Sequence, residues 1–67
     1  MKIHVIRIKK NRDTGEETEA IGEFYSNNVA CLYRNNGNTS IHFKDGTFMI
    51  VKHTLEEIDS IIIRDRV

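Results

Sequence analysis

Asn36-Gly37 and Asp45-Gly46 constrain this chain more than any other feature, because each is a turn dipeptide set between runs of alternating apolar residues. Both pairs tolerate positive φ at the two central positions of a type I′ turn, whose twist suits an antiparallel hairpin. Each turn therefore dictates a pairing. Around Asn36-Gly37, Leu32 faces Ile41, Cys31 faces His42 and Ala30 faces Phe43. Around Asp45-Gly46, Phe43 faces Phe48, His42 faces Met49 and Ile41 faces Ile50. Alternation then gathers Ala30, Leu32, Ile41, Phe43, Phe48 and Ile50 on an apolar core face. The opposite face collects Val29, Cys31, Tyr33, Ser40, His42, Lys44, Thr47, Met49 and Val51. A slip of one residue would exchange the two faces.

The chain begins with another hairpin. In Lys2 to Lys9, Ile3 and Val5 share one side while Ile6 and Ile8 fall on the other, a change of phase that predicts burial on both sides or a bulge near Val5 or Ile6. Asp13 and Gly15 suit a turn, and the return strand runs from about Thr18 to Tyr25. That path brings Glu16, Glu17 and Glu19 near Lys9, Lys10 and Arg12, as exposed cross-strand pairs that help set register.

After Lys52, the sequence HTLEEIDSIIIRD starts a helix. Thr54 caps it, Glu57 completes a capping box, and acidic residues occupy the positive end of the helix dipole. Leu55, Ile58, Ile61 and Ile62 form the inward stripe, Ile63 lies beside it, and Arg64 and Arg66 suit the C-terminal end.

These elements predict an α+β fold for a single small domain, residues 1–67. It comprises a twisted antiparallel sheet of about five strands with one C-terminal helix, closing as an SH3-like barrel if the first hairpin folds over the mixed face. With 67 residues and one cysteine, the domain has no intramolecular disulfide to add to a small core. Good packing or self-association must compensate. Ten basic residues balance ten acidic ones, so no bulk field draws the chain toward nucleic acid or anionic lipid. No run approaches a membrane span and the start is not a signal peptide, which makes a cytoplasmic location the expectation.

The chemistry-bearing residues do not assemble into a reaction site. Cys31, His42 and Met49 form a predicted row whose soft donors suit Cu(I), yet such residues more often serve packing, and neither HxxxH nor CxxC spacing is present. Cys31 and His42 have no third orienting residue, and the four glycines are isolated rather than clustered in a phosphate-binding loop. The expectation is a protein without catalytic activity, cofactor or metal.

What remains is binding. The mixed face offers Cys31, Tyr33, His42, Met49 and Val51 as a partner surface, and the helix offers Ile63. The partner is a protein, with a homodimer or higher oligomer included. The alternative is nucleic acid, through Lys2, Arg7, Lys9, Lys10 and Arg12, which make the first twelve residues basic. A phage-type inhibitor of a host protein is a third reading, compatible with the length.

The opening IHVIRI, the EFYSNN segment at Glu23 to Asn28, the strand pair TSIHFKDGTFMIVK and the capped helix HTLEEIDSII together resemble the small FlbD-type flagellar proteins. The likeness spans most of the chain, although the first hairpin KKNRDTGEETEAIG is longer than that pattern, and it implies a flagellum-related role. Val29 to Ile62 is also similar to the first half of LytTR-type DNA-binding domains. The later strands of that domain have no counterpart in these residues, so this second likeness implies local fold and not DNA binding.

Overall fold

A computed structural model describes residues 2–66, with side chains described to residue 65. The elements are β1 (Lys2–Lys10), β2 (Glu17–Tyr25), a 3-10 turn (Ser26–Asn28), β3 (Val29–Asn35), β4 (Asn38–Phe43), β5 (Phe48–Val51) and α1 (Leu55–Arg66). The side chain of Arg66 lies outside the described residues. All pairings are antiparallel and the strand order is β2-β1-β5-β4-β3. The sheet is open, with β2 and β3 as its edges, and does not close as an SH3-like barrel.

The first hairpin runs in unbroken register from Lys2 opposite Tyr25 to Lys10 opposite Glu17. The change of phase at Val5 and Ile6 is therefore not a bulge. Ile3 and Val5 point into the core, whereas Ile6 and Ile8 occupy the other side of a plain alternating strand. Gly15 closes the tip with φ at 75° and its N–H donated to the Asn11 carbonyl.

The Asn36-Gly37 turn holds the expected register, with Leu32 opposite Ile41 and Cys31 opposite His42. Asn36 and Gly37 both have positive φ, 49° and 84°, as a type I′ turn requires. Toward the start of β3 a bulge intervenes, so Phe43 pairs with Val29 instead of Ala30. Val29 is buried and Ala30 exposed, the reverse of the expectation.

The second turn differs by one residue. Gly46 N–H donates to the Phe43 carbonyl and Phe43 N–H to the Thr47 carbonyl, so Lys44, Asp45 and Gly46 form a three-residue loop. Gly46, with φ at 92°, takes the left-handed position that ends such a loop. Asp45 Oδ1 accepts from the Thr47 N–H at 2.9 Å and from its hydroxyl at 2.6 Å, bracing the loop. His42 consequently pairs with Phe48, Ile41 with Met49 and Ser40 with Ile50. The extra residue reverses β5: Met49 and Val51 enter the core, and Phe48 turns to solvent.

The core joins Ile3, Val5 and Phe24 of the first hairpin to Val29, Ile41, Phe43, Met49 and Val51, with Ile58 and Ile62 of α1 packed on them. The first hairpin thus folds over the core face and not over the face that carries exposed Tyr33 and Phe48. Contacts across the core show this: the Phe24 and Phe43 rings lie 5.8 Å apart, and a Cβ on Gly22 would sit 2.8 Å from Met49 Sδ. Where β1 meets β5, Lys52 N–H donates to the Ile6 carbonyl and Ile6 N–H to His53 Nε2.

α1 follows the expected cap. Glu57 N–H donates to Thr54 Oγ1 at 3.2 Å, and Thr54 N–H donates back to Glu57 Oε1 at 3.4 Å. Ile58 is fully buried, and Leu55 and Ile61 are half-buried. Arg34 pairs with Glu56 at one end of the helix, and Ser26 donates to Asp65 Oδ2 at 2.5 Å at the other. Buried Thr39 donates its hydroxyl to the His53 carbonyl, tying β4 to the segment before α1. No helix among the described residues is long and apolar enough to cross a membrane.

Candidate protein-contact surface

The face of β3, β4 and β5 opposite the core carries exposed Cys31, Tyr33 and Phe48, half-buried His42 and Ile50, and buried Ser40, placed together by the observed register. Three of these residues form an aromatic row. The Tyr33 ring meets the His42 ring edge-on at 5.0 Å and 85°, and His42 stacks on Phe48 at 5.6 Å and 18°. Tyr33 and Phe48 remain 55% and 59% exposed, large values for rings already in contact with a neighbour. The imidazole is fixed further by Ser40, whose Oγ lies 2.9 Å from His42 Nε2. Cys31 is exposed, and its side chain, first by hydrogen bonding and then by charge, raises the Tyr33 pKa.

Of the residues expected here from sequence, Cys31, Tyr33 and His42 share this face, whereas Met49 and Val51 do not. Met49 is 9% exposed and Val51 is fully buried, both on the core side. The same reversal removes Met49 from the Cys31 and His42 row, and among the described residues no three His, Cys, Asp or Glu side chains cluster to hold a metal ion. Ile63 is 55% exposed on α1, apart from the aromatic row. The sequence pattern places Phe48 in the core, and the structure places it on this face. The signal for it lies in Lys44-Asp45-Gly46-Thr47, which suits a type I turn followed by a left-handed glycine as well as a two-residue turn.

The basic residues at the start of the chain do not form a single surface. In a continuous strand Lys2 and Lys10 face one side, and Arg7 and Lys9 the other. Lys2 pairs with Glu23 at 3.4 Å and lies over the Tyr25 ring, and Lys10 sits opposite Glu17. Glu19 is held by Lys52 at 2.8 Å, not by Lys9. Arg7 is half-buried, with its Nε enclosed and lacking a hydrogen-bond partner, in the wall of a cleft of about 380 Å³ between the first hairpin and the Lys44–Gly46 loop. Arg12 stands in the exposed hairpin tip.

None of the protein-family models, curated proteins or solved structures compared with this chain matches it.

Proposed function

We propose that this chain is a non-catalytic protein-binding module that docks its partner on the face bearing Tyr33, His42 and Phe48. The observation behind this reading is the aromatic row itself: three rings held against one another by the strands, with the outer two, Tyr33 and Phe48, open to solvent and His42 half-buried between them. Aromatic side chains are enriched at the centres of protein interfaces, where they bury large areas with few rotatable bonds to order. Stacking before contact reduces that ordering further. The resemblance to small flagellar proteins adds a setting, a flagellum-related adaptor role. Nucleic-acid binding has less support, because the basic residues of β1 are split between two faces and two of them stand beside glutamates.

The test is capture of partners from host extract by the immobilised chain, with mass spectrometry of what is retained. Replacing both Tyr33 and Phe48 by Ser should abolish capture of a specific protein, while Ile21→Ser, at a residue 72% exposed on the first hairpin, should leave it intact. Equal capture by both variants, or retention on duplex DNA that falls steeply with salt, would overturn the proposal.

A further inference from the structure

The two edges of the sheet are protected very differently. β2 carries Glu17, Glu19 and Glu23, and if it paired with a second β2 about its midpoint Ile21, Glu19 would stand against Glu23. Like charges directly opposite one another oppose pairing. β3 has no such guard. Its single charge, Arg34, is paired with Glu56, and it contains neither proline nor an acidic residue.

The free groups on β3 can be assigned. A two-residue turn closes on a hydrogen-bonded pair, here Asn35 and Asn38, and bonded and non-bonded pairs alternate from there. Tyr33 therefore directs its backbone groups to β4, while Leu32 and Arg34 direct theirs away, to the open edge. Only one antiparallel self-pairing satisfies all four of these groups: Leu32 opposite Arg34 of a second copy, and Arg34 opposite its Leu32. Tyr33 then lies on the two-fold axis against Tyr33 of the other copy, in a non-bonded pair where side chains approach most closely. The bulge at Ala30 and the turn at Asn36-Gly37 end the pairing on either side.

Resting on the binding role proposed for this face, we infer that the partner is a second copy of this chain, joined edge to edge through β3. A two-fold dimer of this kind is self-complementary. It makes one ten-stranded sheet from two of five, opposes no like charges along the pairing strands, and merges the two aromatic rows into a cluster of six rings around the Tyr33 pair.

Sedimentation equilibrium with the full chain should give a concentration-dependent dimer, and Tyr33→Glu, which sets two carboxylates across the axis, should give a monomer with unchanged far-ultraviolet circular dichroism. A cysteine variant tests the register independently of any loss of folding. In a Cys31→Ser background, Tyr33→Cys places two thiols opposite each other at a Cα separation of about 4.5 Å, within disulfide reach. Mild oxidation should link it into dimers, whereas Ile63→Cys in the same background should stay unlinked. A wild-type chain that is monomeric at millimolar concentration, or linkage no faster at position 33 than at 63, overturns the self-pairing. Failure of self-pairing with capture still lost in the Tyr33 and Phe48 double variant would leave the binding face standing with another protein on it. No self-pairing together with capture undiminished in that double variant would remove both.

Discussion

Met49→Ala and Phe48→Ala should have opposite consequences to those of a two-residue Asp45-Gly46 turn, since the observed loop buries Met49 and exposes Phe48. Truncating a buried methionine costs about 2–5 kcal/mol, through lost transfer free energy and the cavity left behind. The total stability for a chain of this length is roughly 3–10 kcal/mol. At roughly 2.1 cal/mol/K of unfolding entropy per residue, each kcal/mol moves the Tm by about 7 °C. Met49→Ala should therefore lower the Tm by at least about 14 °C, or leave the chain unfolded. Phe48→Ala removes an exposed ring that stacks on His42, a cross-strand pair contributing ~0.2–1 kcal/mol, so its shift should stay below about 7 °C. Thermal unfolding followed by circular dichroism, with urea midpoints at constant slope, measures both. If Phe48→Ala were the more damaging change, the register of β5 would be wrong, and with it the aromatic face.

Three further outcomes follow from the same contacts. Gly22→Ala would place its Cβ 2.8 Å from Met49 Sδ and 3.0 Å from Arg7 Cβ, so it should destabilise by about 1–3 kcal/mol, and part of the loss should vanish in a Met49→Val background when the two are combined in a double-mutant cycle. Thr54→Ala removes the acceptor of the Glu57 N–H and should cost about 1 kcal/mol in urea unfolding; no change would mean that the cap contributes nothing. Hydrogen bonds from Thr47 to Asp45, Arg34 to Glu56, and Thr54 to Glu57 hold these carboxyls below their ordinary pKa. A carboxyl depressed in the folded state contributes stability above its unfolded pKa and loses it as pH falls through the folded one. Urea midpoints should thus be flat near neutrality and decline on the acid side, more gently in Asp45→Asn; an identical acid-side decline in that variant would refute the role given to Asp45.

Much of the fold could be read from local chemistry. Asn36-Gly37, the Thr54 and Glu57 cap, and the stripe of Leu55, Ile58, Ile61 and Ile62 each depend on neighbours within a few residues, and each lies where the sequence pattern puts it. The structure departs from the sequence pattern where two local solutions have similar sequence requirements. Asp45-Gly46 suits both a two- and a three-residue loop, and the choice between them is made by packing: it sends Met49 onto Gly22, a contact between residues far apart in the chain. The bulge at Ala30 likewise lets Val29 reach the core, and nothing in VACLYRN marks it. Because side chains alternate with a period of two, one extra residue moved Met49 and Val51 off the candidate surface and brought Phe48 onto it. Tyr33, His42 and Cys31 were legible because they depend on the Asn36-Gly37 register alone.

Hydroxyl-radical footprinting, comparing the dilute chain with its assembled state, tests most directly whether the aromatic row is the contact face. Tyr33, which lies against its counterpart at the pairing edge, should lose the most reactivity on assembly, while Ile21 and Ile63, exposed on other elements, stay as reactive as before. Protection of Ile21 or Ile63 with the three rings unchanged would contradict the account.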